Sequence, residues 1–187
     1  MFPQPLDGNH LMDDRPHSDG DVLPQFCSQC ASPVEVVEVG GEPVWTCQQC
    51  GHRQYRRQSV GVAVVVVEHR RLLLVQRRYG DRAGSWCIPC GHVGWDEDVH
   101  EAAVREIEEE TGLAVELDGV YDVHTTFHNR NRHNAGIWFR GHRVGGTLRA
   151  GDDAVDARFF AFGELPEPLA YETDERVIAR LRDDSEL

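Results

Sequence analysis

The sequence predicts an α/β fold, an α/β/α sandwich on a mixed sheet, with a small cysteine-rich unit ahead of it. Three observations carry that expectation. Two CxxC pairs near the start are separated by 16 residues. From Val60 onward, short runs dense in Val, Leu and aromatic residues alternate with turn residues, as buried strands do. Two helical segments, Asp98 to Thr111 and Thr173 to Arg182, are set apart by strands, and helices on opposite sides of a sheet cover both of its faces.

The 187 residues allow one enzyme-sized domain and a small satellite. Residues 1–24 are rich in Asp, Gly, Pro and His, lack apolar periodicity and are expected to stay disordered. The satellite spans residues 25–57. Within it CSQC places Cys27 and Cys30, and CQQC places Cys47 and Cys50, so that each pair can bring two sulfurs to one ion. Val34 to Val39 and Pro43 to Thr46, split by Gly40-Gly41, form a hairpin between the pairs. Zinc is the expected ion, with iron the alternative. Four cysteines fill all four positions and leave none for a catalytic water, so this zinc ribbon is structural. Arg53, Arg56 and Arg57 form a basic strip at its exit, read as a solvated edge before a phosphate contact.

The larger domain spans residues 59–187. GVAVVVVE and RRLLLVQRR read as paired buried strands turning near His69 and Arg70, and Trp86 to Pro89 leads into the next segment. Further strands are expected over Ala114 to Leu117, Val120 to Phe127, Ala135 to Arg143 and Arg158 to Phe162, with the helix from Thr173 to Arg182 closing the fold.

The helix from Asp98 to Thr111 is rich in Ala, Glu, Val and Ile, opens on acids that suit a helix N-terminus and stops at Gly112. At 3.6 residues per turn, Val99, Ala103 and Ile107 form an apolar stripe, and Glu106, Glu109 and Glu110 share a neighbouring arc. Glu101 and Glu108 fall on the solvated side. Two carboxylates about 4 Å apart repel by roughly 4 kcal/mol at an effective dielectric near 20, and three converge here. A hard dication, Mg²⁺ or Mn²⁺, offsets that repulsion and shares its remaining positions with water and phosphate oxygens. Arg105 adds a positive charge that orients a neighbouring glutamate.

Written as a pattern, the segment is Gly91, five residues, Glu97, seven residues, Arg105, Glu106, Ile107, one residue, Glu109, Glu110, one residue, Gly112, Leu113. This resembles the Nudix box at nine positions over 23 residues. The resemblance implies the α/β/α sandwich and a metal site in which Glu109 and Glu110 bind Mg²⁺ or Mn²⁺. It makes Glu106 a further ligand or the base that activates water, with Arg105 holding that glutamate and Glu97 bracing the loop or joining an outer shell. It gives Gly91 the tight turn into the loop, and it makes the backbone carbonyl of Cys90 a metal ligand, at a position where the family commonly has Gly. Cys87 and Cys90 form a third CxxC, read as two reduced small residues at a strand-to-loop junction before any redox pair.

A zinc ribbon followed by this domain resembles the NADH, ADP-ribose and FAD pyrophosphatase group. The expected activity is hydrolysis of the diphosphate bridge of a nucleoside diphosphate linked to another moiety, such as ADP-ribose, FAD or an NAD(H)-like dinucleotide. The group's SQPWPFPxS motif is absent; that region reads YDVHTTFHNRNRHNAG, which argues against an NADH preference. Arg130 and Arg132, with His128 and His133, are candidates for a terminal phosphate or ribose, and Trp138 or Phe127 for a stacked base. Asp152, Asp153 and Glu164 are candidates for a carboxylate from outside the helix. Two other functions compete: a house-cleaning hydrolase of modified nucleoside triphosphates, and a non-catalytic nucleotide sensor.

All 19 basic residues are Arg, and the net charge of −13 argues against broad adhesion to nucleic acid or anionic membranes. No stretch approaches a membrane span. Six cysteines arranged as three CxxC pairs, in a chain whose start shows no secretory signal, point to the cytoplasm. The expected partner is a small nucleotide, and the resemblance admits a homodimer.

Overall fold

The computed structural model describes residues 24–55, 58–129, 132–151 and 153–184, without the side chains of 126–129 and 132. The predicted disordered tail falls, but for Pro24, outside the described residues, as do Arg56, Arg57, Arg130 and Asp152. The chain divides into two compact units between Gln54 and Tyr55.

In the first unit β1 (Val34–Val39), β2 (Glu42–Cys47) and β3 (Arg53–Gln54) form an antiparallel sheet in that order. Gly40 and Gly41 make the β1–β2 turn with φ of 64° and 86°, the left-handed pair that a two-residue hairpin demands.

The second unit runs β4 (Ser59–Glu68), β5 (Arg71–Arg77), β6 (Trp86–Cys87), β7 (Cys90–His92), α1 (Val99–Thr111), β8 (Leu113–Asn129), β9 (Arg132–Gly146), β10 (Ala154–Ala161) and α2 (Glu172–Asp183). Its sheet has the order β10-β5-β4-β9-β8, with β6 paired to β5 and β7 to β4. The β4–β9 pair is parallel and the others are antiparallel, so the sheet is mixed.

Both faces of β4 are covered, which is why its sequence is apolar throughout. Val62, Val64 and Val66 pack with Ala102, Ala103 and Ile107 of α1. The alternate residues Ala63 and Val65 pack with Val177, Ile178 and Leu181 of α2. One helix therefore lies on each side of the sheet, the α/β/α sandwich.

Two expectations change. β4 and β5 do turn at His69 and Arg70, which adopt φ of 49° and 60°, but they pair only at Val67 with Leu72 and Glu68 with Arg71. Beyond that point β4 takes β7 and β9 as neighbours while β5 takes β6 and β10. The two strands expected over Ala114 to Phe127 are one, β8, because Asp118-Gly119 forms a bulge with a register shift and does not break the ladder.

Both ends of α1 are closed. Asp98 accepts the His100 backbone N–H at 2.8 Å, and Gly112, at φ 68°, turns the chain out while its N–H reaches the Glu108 carbonyl. α2 differs at its start: the N-cap is Tyr171, whose side chain makes no capping hydrogen bond.

Candidate active site

The helical period divides the α1 glutamates in part as the sequence predicts: Glu106 is half-buried and Glu110 3% exposed, but Glu109 is exposed like Glu101 and Glu108. Arg105 organises three acids. Its Nε and Nη2 donate to the two oxygens of Glu97 at 2.6 and 2.8 Å, a bidentate pair. Its Nη1 donates to Glu106 at 2.8 Å and to Glu109 at 2.9 Å. Glu97 also accepts the Gly94 N–H at 2.8 Å, and these hydrogen bonds hold its carboxyl down at about 2.

Glu110 stands apart from the guanidinium. Its Oε2 accepts the backbone N–H of Cys90 at 2.9 Å, which ties α1 to β7. Burial pushes the Glu110 carboxyl up to about 9, and burial likewise raises Glu106.

Gly91 takes a different part from the tight turn expected of it. Its φ is not positive, and it sits within β7. What requires glycine is the Glu106 carboxyl: a Cβ at position 91 would lie 1.9 Å from Glu106 Cδ. The missing side chain is the gap through which Glu106 approaches the strand.

Of these groups Arg105, Glu106 and Glu109 line a cavity of about 610 Å³, as do Tyr171, Thr173 and Asp174 at the start of α2, whereas Glu97 and Glu110 do not line it. Cys90 and Gly91 line it, and β4 and β9 provide its floor through Gly61 and Gly136, which are register partners. Asp153 lines the cavity; among the described residues Glu164 does not. Trp138 is a wall residue, 6% exposed, with its ring packed over Gly136 and its indole N–H donated to Asp174 at 3.3 Å. Of Arg132 only the backbone, in β9, is described.

Asp174 is a feature that sequence reasoning missed. It is 2% exposed, accepts the Ile88 N–H at 3.1 Å as well as the Trp138 indole, and is pushed up to about 7 by burial. An acid in the first turn of a helix is ordinary, so its sequence position carried no signal. Arg77, which also lines the cavity, was hidden in the same way at the end of an apolar strand.

In the first unit the four sulfurs of Cys27, Cys30, Cys47 and Cys50 lie within 4.8 Å of one another. The Cys27–Cys50, Cys30–Cys47 and Cys30–Cys50 separations are 3.6, 3.5 and 3.5 Å, close to the ~3.8 Å edge of a tetrahedron with bonds of ~2.3 Å. The two knuckles are alike: Ala31 N–H reaches Cys27 O and Gly51 N–H reaches Cys47 O, both at 2.9 Å, and both Ala31 and Gly51 have positive φ. The set fits a soft or borderline ion.

The NUDIX domain model matches residues 55–181, more than half of the chain. The chain belongs to the Nudix family. It is 36% identical over 122 residues to an ADP-ribose pyrophosphatase of Methanocaldococcus jannaschii, covering 65% of this chain and 72% of that protein. It is 29% identical over 144 residues to the NAD-capped RNA hydrolase NudC of Pseudomonas aeruginosa, covering 76% of this chain but 49% of that one. The crystal structure of a NUDIX hydrolase from Nitrosomonas europaea matches with a TM-score of 0.77 at 24% identity, covering 87% of this chain and 92% of that chain, a likeness of fold.

Nudix enzymes use a divalent metal, and the acidic set fits one by its chemistry. The donors are hard carboxylate oxygens, and burial raises the carboxyls of Glu106 and Glu110, which a dication held among the acids would offset. Among the described residues no helix is long and apolar enough to cross a membrane.

Proposed function

We propose that this Nudix pyrophosphatase cleaves the diphosphate bridge of a nucleoside diphosphate linked to a second moiety, with ADP-ribose the first substrate to test. The observation that carries the reading is Glu106 reaching past Gly91 to the wall of the cavity, beside Glu109 and the buried Glu110. The name of the Methanocaldococcus jannaschii relative supports ADP-ribose.

Glu106, Glu109 and Glu110, with the backbone carbonyl of Cys90, would hold Mg²⁺ or Mn²⁺. A bound dication supplies Lewis acidity toward phosphate oxygens and makes water a better nucleophile near neutral pH. Glu106 would be a further ligand or the base, and as the base it takes up the proton of the attacking water. Its raised pKa suits a base, since a proton acceptor works best when its pKa lies closer to the working pH. Arg105 fixes the Glu106 carboxylate, and Glu97 fixes Arg105. Gly94, through its N–H to Glu97, anchors that chain of contacts to the loop before α1. Asp153 is the candidate for a carboxylate from outside the box.

In the first unit the four-thiolate set is assigned to structural zinc. Six unbridged cysteines support a reducing compartment, the cytoplasm. Arg130, Arg132 and Trp138 stay candidates for substrate contact, and a homodimer is a candidate assembly.

The test is a panel of ADP-ribose, FAD, NADH, NAD-capped RNA and oxidised dGTP with Mg²⁺ or Mn²⁺, read by product identity. The expected result is AMP and ribose 5-phosphate from ADP-ribose. Pyrophosphate released from the triphosphate in preference would move the chain to the house-cleaning group, and tight binding without turnover on any member would make it a sensor.

A further inference from the structure

The part of the cavity wall formed by Arg77 and the start of α2 carries buried polar atoms that have no partner among the described residues. Thr173 is 6% exposed, and among the described residues neither its hydroxyl oxygen nor the buried Nε of Arg77 has a hydrogen-bond partner. Both residues line the cavity. Buried polar atoms in native proteins nearly always find a partner, so two such atoms on residues that line one cavity point to a group that enters it.

The same wall is the start of α2. Tyr171 provides no side-chain cap, and the N–H groups of Asp174 and Glu175 turn back to the Tyr171 carbonyl. The N–H groups of Glu172 and Thr173 come first in the helix and have no partner within it. Arg77 and Arg82 flank the ring of Tyr171, two residues before Thr173, their guanidinium carbons 5.4 and 5.2 Å from its centroid, so two positive charges stand at the start of α2. Of the two acids adjacent in sequence, Asp174 has both carboxylate oxygens engaged, one by Ile88 N–H and one by the Trp138 indole, and Glu172 is paired with Arg176. Asp81 and Asp153 also line the cavity, and they set a negative background that Arg77 and Arg82 oppose.

We propose that Thr173, Arg77 and the first turn of α2 form a second oxyanion subsite, which holds a phosphate group of the substrate or product independently of the glutamate cradle. The hydroxyl of Thr173 and Nε–H of Arg77 donate, the helix start adds backbone donors, and Arg77 supplies charge. The nature of the ligand rests on the hydrolase reading; the existence of the subsite does not. A phosphate monoester is the shared chemistry of both expected products, a nucleoside monophosphate and a sugar phosphate.

The experiment is calorimetric titration of the full chain in EDTA with inorganic phosphate, AMP and ribose 5-phosphate. All three are expected to bind, the esters more tightly than inorganic phosphate. Thr173→Val, which keeps shape and removes the hydroxyl, should weaken each about tenfold, as should Arg77→Gln. Thr173→Ser should stay close to the parent chain, and thermal melts separate a folding defect from a binding one. Unchanged affinity of the folded Thr173→Val chain would overturn the subsite, leaving an ordered water as the partner of that hydroxyl. Phosphate binding that depends on Thr173 without turnover of the panel would keep the subsite and sink the hydrolase reading; turnover with Thr173-independent binding would do the reverse.

Discussion

The cysteine knuckles of the first unit hold four donors ready-made, with sulfurs within 4.8 Å of one another, whereas the glutamates of α1 are divided between two partners. Arg105 draws Glu97, Glu106 and Glu109 to itself, and Cys90 N–H draws Glu110 the other way. Each set keeps a proton on one donor at neutral pH: the Ser32 backbone N–H holds the Cys30 thiol down at about 6 but Cys50 beside it stands up at about 12, and burial holds the Glu110 carboxyl up at about 9. A closed structural site is assembled by local backbone turns; an open catalytic site has to leave room for substrate and is shaped by contacts that metal can replace.

Removing one sulfur should break the comparison most severely. Cys47 is buried, and serine in its place leaves three thiolates around one ion. Apparent binding energies for such sites are on the order of 10 kcal/mol, and binding and folding are coupled. Cys47→Ser is expected to lose the single bound zinc and the fold of the first unit, measured by elemental analysis and by amide exchange over residues 24–54. Retention of one zinc per chain would mean that the knuckles do not act as a four-ligand set. Dialysis of the parent chain against EDTA should leave that zinc in place while removing the ion that supports activity.

The next largest effect is expected at the acids. Glu109→Gln or Glu110→Gln should lower kcat by roughly 10³-fold, ~4 kcal/mol in the barrier. Initial rates at saturating Mg²⁺ measure it, and turnover within tenfold of the parent chain would remove that residue from the assignment.

Gly91→Ala probes how the open set is shaped. The added methyl would meet Glu106 Cδ at 1.9 Å, so the carboxyl must swing away from β7. Glu106 lies at the end of a flexible side chain, so the backbone can stay in register. The expected outcome is a loss of ~10²-fold in kcat with the melting temperature shifted by only a few degrees. Equal activity would show that the approach of Glu106 to Gly91 is incidental.

How legible all this was in the sequence depends on how local each cause is. The knuckles, the β1–β2 turn and the limits of α1 follow from residues within a few positions of one another, at Cys27 to Cys30, Gly40-Gly41, Asp98 and Gly112. The sorting of Glu101 and Glu108 from Glu106 and Glu110 follows from the helical period. The divergence of β5 from β4 did not, since it depends on which distant strands each recruits. Neither did the hydrogen bond from Cys90 to Glu110, 20 residues apart, nor the reason for Gly91. Thr173 and Asp174 looked like an ordinary first turn, and only the packing of α2 against the site end of the sheet makes them buried.

The smallest expected effect is in proton binding within the acidic site, where Glu110 and Glu97 act with opposite sign. Glu110 is 3% exposed and, among the described residues, has no guanidinium on it, so in metal-free protein folding favours its protonated form. Its folded value, about 9, lies above the ~4.3 of an unfolded glutamate. The stability this contributes is complete below about pH 4.3 and is lost as pH rises toward about 9. Glu97 has the opposite sign: held at about 2, it contributes above the unfolded value and loses that contribution only as pH falls toward 2, so it is silent between pH 5 and 9. The melting temperature of EDTA-treated protein is therefore expected to fall from pH 5 to pH 9, and the fall should flatten in Glu110→Gln. Mg²⁺, which takes the place of the proton, should raise the melting temperature more at pH 9 than at pH 5. Parallel curves with and without Mg²⁺ would place the metal away from Glu110 and leave the buried acid as a structural tie between α1 and β7.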